Sequence, residues 1–303
     1  MAELQVQVSA NTQEISDNAA SIAAIGGHTD ISGLSNAVAA LQDLLSGVRR
    51  EFVSDETNVG NDDGTLRDTL IFEGMNLQII NGEGTTTSTN GLGNLIIGYN
   101  EERWESDASE TCPASWDSEY YCNRRTGSHM LVLGDWNNYI GSGGAVAGSS
   151  NETSNWYASV SGGAGNIASG LSSSVSGGSY NSASDGVASV SGGYQNSATG
   201  IASSVTGGFS NTAGGEYSVV VGGLANTASG NKATVGGGRD NLATAEVSSV
   251  GAGKANTASG IGSSVSGGFS NTASGSYASV SGGANKIAED TGCVEGSYPT
   301  ADC

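Results

Sequence analysis

Few side chains in this chain of 303 residues are of the types that carry acid–base or nucleophilic chemistry. The two histidines, His28 and His129, lie in separate segments, and neither has a serine or cysteine nearby in a triad arrangement. The acidic stretch 55–64 lacks the spaced ligands and terminal Glu of an EF-hand. Acids are too scattered in the C-terminal half for the paired carboxylates of glycoside hydrolysis. The sequence therefore predicts no catalytic residue, no metal site and no enzyme activity.

The four cysteines are the candidates for covalent chemistry. They fall into two pairs of equal spacing, Cys112 with Cys122 and Cys293 with Cys303, with no Cys-x-x-Cys motif and no histidine nearby. An even number and local pairing favour two disulfides over a metal site. Because disulfides persist in oxidising surroundings, these pairs also predict an extracellular or cell-surface location.

The first cysteine pair lies within the longest insertion of the chain, residues 101–124. This insertion holds four aromatic residues: Trp104, Trp116, Tyr120 and Tyr121. Aromatic side chains on a stapled, protruding loop are candidates for ligand contact. The alternative is that the rings pack against the neighbouring structure and cover it.

A 15-residue repeat organises the C-terminal half of the chain, and its valine recurs nine times without a slip. A fixed period of this size predicts a solenoid, in which each turn packs only on its neighbours. The valine column is Val160, Val175, Val190, Val205, Val220, Val235, Val250, Val265 and Val280, and the asparagine column includes Asn166, Asn181, Asn196, Asn211 and Asn226.

One repeat predicts two short strands and two corners. Val160 lies between two serines, an alternation that places valine inward and the hydroxyls outward. Gly162 and Gly163 end this strand at a tight corner, because only glycine reaches the positive φ expected there without strain. Asn166 fits the same corner, where its amide is expected to bond to local backbone and to stack on the Asn of the next turn in a ladder. Ala168 begins the second strand. The fold class is therefore mainly β, a narrow parallel β-roll.

The first fifty residues carry a heptad pattern typical of a coiled coil. Val8, Ile15 and Ile22 occupy one core position and Asn11 and Asn18 the other. A second run follows Gly26-Gly27 and contains Ile31, Leu34, Val38, Leu41, Leu45 and Val48. Because asparagine in a coiled-coil seam costs stability, it indicates a device that fixes register and oligomer number.

These two patterns together resemble the trimeric autotransporter adhesins. The stretch 8–15 is similar to their VxxNTxxI element, in which three asparagines surround a bound anion such as chloride, and the resemblance implies that role for Asn11 and Asn18. The repeats resemble the YadA-like head, a left-handed β-roll that trimerises. Gly162 stands where that family often has Ile, so the core is thinner here. The resemblance implies a homotrimeric fibre.

Composition and charge limit the partners that the fibre can have. The net charge of −20 disfavours nucleic acid and anionic membranes. No apolar run is long enough for a transmembrane helix and no export leader is expected at the start, so the sequence predicts no direct membrane insertion.

With many Gly and a core of Val and Ala, a lone roll is expected to need a covered face, which favours association of identical chains.

Four segments and a leading function follow from these patterns. We expect a coiled-coil stalk at 1–50, a neck and irregular first turns at 51–144, the regular roll at 145–288 and a disulfide-closed tail at 289–303. The leading hypothesis is a non-catalytic adhesive fibre for a cell-surface protein or glycan. Two alternatives stay open: an ice- or crystal-surface binder presenting serine hydroxyls, and a phage or injection-apparatus fibre. The corner residues expected to contact partners are Tyr180, Tyr194, Phe209, Arg239, Lys254, Phe269 and Tyr277.

Overall fold

The computed structural model describes residues 12–17, 35–39, 48–54, 66–72, 76–101 and 124–295. The chain divides into two compact units, Met1–Gln78 and Ile79–Cys303. Within the described part of the chain, no helix has the length and apolar character needed to cross a bilayer.

The described residues of the first unit include two short helices and an antiparallel strand pair. Helix α1 covers 12–17 and helix α2 covers 35–39, both within the predicted coiled-coil runs, but neither is long enough to establish a coiled coil. Strands β1 (Val48–Ser54) and β2 (Leu66–Phe72) pair antiparallel. Val48, which the heptad pattern assigns to a helix, therefore lies in a strand, because its cross-strand pairing with Phe72 is a contact that local periodicity does not register.

The second unit is a parallel β-solenoid of about 11 turns. Its first five strands are β3 (Leu95–Ile97), β4 (Leu131–Asp135), β5 (Asn138–Tyr139), β6 (Ala145–Ser149) and β7 (Glu152–Thr153). The remaining strands have two residues each: β8 (Ser159–Val160), β9 (Ile167–Ala168), β10 (Ser174–Val175), β11 (Ser182–Ala183), β12 (Ser189–Val190), β13 (Ser197–Ala198), β14 (Ser204–Val205), β15 (Thr212–Ala213), β16 (Val219–Val220), β17 (Thr227–Ala228), β18 (Thr234–Val235), β19 (Leu242–Ala243), β20 (Ser249–Val250), β21 (Thr257–Ala258), β22 (Ser264–Val265), β23 (Thr272–Ala273), β24 (Ser279–Val280), β25 (Ile287–Ala288) and β26 (Val294–Glu295).

These strands form two parallel sheets, one of 13 strands and one of 11. Even-numbered strands from β4 onward, together with β3, make the larger sheet, and odd-numbered strands from β5 make the smaller one. In the regular region each strand pairs with its equivalent one turn away, so that Val175 lies beside Val160 and Val190. The predicted two strands and two corners per repeat are confirmed.

The core between the sheets consists of one valine and one alanine column. Val160 and Ala168, like every later member of their columns, are at most 1% exposed. Serines that flank the valines lie outward, half-buried at Ser159 and exposed at Ser161. A third buried column holds alanine or serine in each turn, beginning with Ala158 and Ser173, and ends at Cys293. Such small side chains bury little apolar area per turn.

The valine column begins earlier than the regular repeat, and its first two turns are one residue shorter. Val132 pairs with Val146, and Val146 pairs with Val160, at a spacing of 14 residues. In the first turns a single residue, Ala147, separates Val146 from Gly148, whereas Ser161 and Gly162 together separate Val160 from Gly163. The extra residue interrupts the ladder as a β-bulge does, which is why β6 has five residues and β8 two.

The two glycines of each corner have different roles. Gly163 has φ of 83°, and a β-carbon there would lie 2.0 Å from the carbonyl oxygen of Gly178 in the next turn. Gly162 is absent from the positive-φ residues, and a β-carbon on it would meet no atom within 4 Å. The expectation that both glycines are needed for positive φ is therefore wrong for Gly162. Ala252 occupies the equivalent position in a later turn.

Residues other than glycine also adopt left-handed backbone at both corners of most turns. Tyr180 and Gln195 do so at one corner, with φ of 56° and 54°. Val187 and Val247 do so at the other, with φ of 59° and 57°. A β-branched residue in this conformation is strained. The 15-residue frame gave no indication of these positions, since their side chains vary from turn to turn.

The asparagine column is a hydrogen-bonded ladder inside the first corner. Asn166 is fully buried; its side-chain Nδ2 donates to the carbonyl of Gly162, 3.1 Å away, and to that of Gly178 in the next turn, 2.9 Å away. Its Oδ1 accepts from the backbone N–H of Asn181, at 2.9 Å. The pattern repeats through Asn271 and ends at Lys286, whose N–H donates to Asn271. The expected bonding to local backbone is confirmed, and the expected asparagine ladder is joined by hydrogen bonds from turn to turn.

Candidate interaction surface

Two edges connect the sheets of the solenoid and carry its exposed large side chains. The first edge is the corner that leads from the 13-stranded to the 11-stranded sheet, as at residues 161–166. The second edge is the corner that leads back, as at residues 169–173. Both contain the left-handed residues described above, and these turn side chains outward into solvent.

One column of the first edge forms a continuous line of paired residues. Isolated parallel bridges join its members in series from turn to turn: Ala164, Ser179, Tyr194, Phe209, Leu224, Arg239, Lys254, Phe269 and Ala284. The ladder of buried asparagines lies directly beneath, two residues later in each turn. The rigid hydrogen bonds of that ladder thus fix the spacing of the exposed column at about 4.8 Å per turn.

Two aromatic members of this column and one tyrosine beside it are in ring contact. The rings of Tyr194 and Phe209 are stacked, with centroids 5.2 Å apart, and Tyr180 meets Tyr194 edge to face at 5.6 Å. These side chains and that of Leu224 are between 38% and 51% exposed. Because stacked rings cover each other's faces, they present mainly their apolar edges to a partner.

The cations of the first edge are adjacent. Arg239 and Lys254 occupy consecutive turns, an unfavourable juxtaposition of like charges within a sheet. Arg239 pairs with Asp240 at 3.3 Å, but both side chains are about half exposed, so the pair contributes little. The ammonium of Lys254 lies 5.5 Å from the ring centroid of Phe269. The edge therefore combines an aromatic part with a basic part.

The second edge is also apolar and carries the opposite charge. Its large apolar side chains are between 46% and 69% exposed: Trp156, Tyr157, Leu171, Val187, Ile201, Tyr217, Val247, Ile261 and Tyr277. Glu216, Asn231 and Glu246 follow one another at equivalent positions of three turns, and Asn231 donates to Glu216 at 3.3 Å. Lys232 lies among them, which leaves this stretch with a net charge of −1 from two acids and one base.

The structure brings some predicted contact residues together and separates another. Tyr194, Phe209 and Phe269 share the first-edge column, with Tyr180 beside it, whereas Tyr277 lies on the second edge. Sequence reasoning missed Leu224 as a member of the first edge, and from the second edge it missed Trp156, Leu171, Ile201 and Ile261. These residues could have been found by applying the 15-residue spacing to the variable positions of the repeat as well as to valine.

Several predicted site residues lie outside the described residues. These are Asn11, Asn18, Trp104, Cys112, Trp116, Tyr120, Tyr121, Cys122 and Cys303. The anion site, the aromatic insertion and the cysteine pairings therefore stay predictions. Cys293 is described and is 7% exposed.

A buried polar cluster closes the start of the solenoid. The carboxylate of Glu152, 5% exposed, lies 3.6 Å from the guanidinium of Arg124 and accepts from the side-chain amide of Asn138 at 3.3 Å. Because a buried carboxylate needs partners, this contact ties the segment after the insertion to the first turns. Among the described residues no three His, Cys, Asp or Glu side chains cluster as metal ligands would.

Comparison with known proteins adds no relative to this description. No protein-family model matches the chain. No curated protein matches it either.

Proposed function

We propose that this chain is the subunit of a non-catalytic, extracellular homotrimeric fibre that attaches to a protein or glycan on a cell surface. The roll is its rigid part, left-handed as in the YadA-like heads that the repeats resemble. An N-terminal coiled coil with Asn11 and Asn18 at its core, around an anion such as chloride, joins the three chains. Disulfides Cys112–Cys122 and Cys293–Cys303 close its loops.

The observation that carries this proposal is the pair of exposed apolar edges. A rod whose core is a valine and an alanine column leaves its largest apolar side chains in solvent on both edges. Monomeric proteins rarely expose continuous apolar patches of this kind, so such edges favour contact with other chains. Chains of one kind usually associate with closed symmetry.

Sedimentation equilibrium of the full chain tests the assembly. We expect a mass of three times 30.0 kDa across the micromolar range. A monomer throughout that range would refute the trimer. Binding of the fluorescently labelled chain to whole cells and to a glycan array then tests adhesion, and the absence of binding to both would refute the adhesive function.

A second candidate function rests on the outward hydroxyl columns. On the 11-stranded sheet, Thr212, Thr227, Thr257 and Thr272 lie at equivalent outward positions. Leu242 interrupts this column between Thr227 and Thr257. A regular hydroxyl array on a sheet is the feature expected of an ice- or crystal-surface binder. Thermal hysteresis of the isolated protein, with shaped ice crystals, would favour this function over adhesion.

A further inference from the structure

We propose that the first edge of one chain binds the second edge of the next, at the same height along the rod, so that three chains close into a ring. This inference rests on the proposed trimer and names the surfaces that form it. The two edges lie on opposite sides of each turn, so the contact is heterologous, and a heterologous contact closes only when its rotation completes a circle.

Symmetry fixes which residues face each other in such a ring. A three-fold axis parallel to the rod rotates each copy without moving it along the rod, so that residues at equal height meet. In a solenoid, height follows chain order, at about 4.8 Å per turn. A second-edge residue therefore lies at a height between the first-edge residues that precede and follow it in the sequence.

The charges of the two edges match in this register. Glu246 follows Arg239 and precedes Lys254, so its carboxylate in one copy lies at a height between the two cations of the next. The cost of placing Arg239 and Lys254 in adjacent turns is then offset by an acid from the neighbouring chain. Lys232 lies at a height between Leu224 and Arg239 of the next copy, where Asp240, the ion-pair partner of Arg239, supplies an acid.

The apolar parts of the edges match in the same register. Ile201 lies at a height between Tyr194 and Phe209, whose ring edges are exposed. Val187 lies between Tyr180 and Tyr194 in the same way. Apolar side chains therefore oppose apolar side chains at the heights of Val187 and Ile201, and Glu246 opposes the two cations. This interface between the first edge of one chain and the second edge of the next, called the seam below, is specific for register as well as for partner.

Charge exchange across the seam tests the proposal in the full chain. We expect Glu246→Lys to raise the dissociation constant of the trimer by about tenfold or more, because three cations then meet. The double variant Arg239→Glu/Lys254→Glu should weaken the trimer similarly. The triple variant, which carries both exchanges, should recover most of the wild-type affinity. Glu83→Lys, with the same charge change at an exposed position ahead of the first strand of the solenoid, is the matched control.

The outcomes separate this seam from the proposed function. If the wild-type chain is a monomer, the trimer fails and the seam with it. If the wild-type chain is a trimer and Glu246→Lys behaves as Glu83→Lys does, the trimer stands and the seam is overturned. A triple variant as weak as either partial exchange also overturns it, whereas its recovery shows that the variants fold and that the charges meet.

The apolar half of the seam has its own test. In the double variant Tyr194→Cys/Ile201→Cys, the two new thiols lie on opposite edges of one chain and meet only between chains. We expect mild oxidation to give covalent trimers on a non-reducing gel. Each single variant is the control. The absence of covalent trimers from the double variant, in a sample that sediments as a trimer, would overturn the register.

Discussion

Replacing Asn211 by alanine tests whether the asparagine ladder holds the turns together. The Asn211 amide donates to the carbonyl of Gly207 at 3.0 Å, to that of Gly223 at 2.9 Å and to Oδ1 of Asn196 at 3.1 Å. Its own Oδ1 accepts from the backbone N–H of Asn226 at 3.0 Å. One side chain thus joins three consecutive turns.

The expected loss of stability in Asn211→Ala follows from the hydrogen bonds that each partner of the Asn211 side chain keeps in the variant. The Gly223 carbonyl keeps the N–H of Phe209 as donor, at 2.9 Å. The N–H of Asn226 belongs to a fully buried residue and loses its acceptor, which costs about 1–3 kcal/mol. Two further lost hydrogen bonds contribute about 1 kcal/mol each. We expect the free energy of unfolding to fall by about 3–5 kcal/mol.

Urea denaturation at a fixed protein concentration, followed by circular dichroism, measures this loss. Thr212→Ala, the adjacent residue with an outward side chain, is the control and should change the free energy by less than about 1 kcal/mol. Hydrogen exchange gives a second measurement, since the amide of Asn226 should lose protection while amides near Val160 keep theirs. If the two variants are equally stable, the ladder does not hold the turns together and the argument is refuted.

Two further pairs of variants test the corner and the core. Gly208→Ala should destabilise the roll by several kcal/mol, about 2–4, because its β-carbon would lie 2.3 Å from the Gly223 carbonyl, whereas Gly207→Ala should be tolerated. Comparable thermal midpoints for the two alanine variants would contradict this reasoning. The hydroxyl of Ser218 is buried without a partner among the described residues, so Ser218→Ala should leave stability unchanged or raise it by up to about 1 kcal/mol. Ser248→Ala should lower the stability by about 1 kcal/mol, since the Ser248 hydroxyl donates to the carbonyl of Ala245 at 2.7 Å. Urea denaturation measures both variants, and a Ser248→Ala variant more stable than Ser218→Ala would contradict this prediction.

The regular part of the fold could be predicted because every turn places the same residue types at the same positions and repeats the same contacts. Val160 and Asn166 recur at fixed positions, so their burial and bonding follow from one repeat. Irregular first turns were expected ahead of the regular roll, but the 14-residue spacing of Val132 and Val146 was not, because a single missing residue shifts the period while the pairing stays intact. Strand β1 escaped prediction for a different reason, since Val48 continued an apparent heptad and the pairing with β2 is not visible in that local pattern.

The candidate surface was predicted only as individual residues. Tyr194, Phe209 and Phe269 were identified for their aromatic character, but their alignment with Leu224 and Arg239 depends on reading the 15-residue spacing at a variable position. Corner residues such as Val187 were not predicted to be left-handed, because that backbone conformation is imposed by the neighbouring turns and not by the residue itself. Tertiary structure therefore overrides local preference where the surface is built.

The ladder and the edges together explain how a roll with so small a core can act as one rod. Each asparagine couples its turn to the turns on either side, so an interaction that stabilises one turn also stabilises its neighbours. A seam at Glu246 then contributes to the whole rod although it touches only a few turns. This coupling also limits which positions vary between the repeats. The asparagine and the second corner glycine recur from turn to turn, whereas the edge residue two positions before the asparagine changes freely. Specificity for a partner is therefore expected to reside in the edges, and the frame beneath them sets only the spacing.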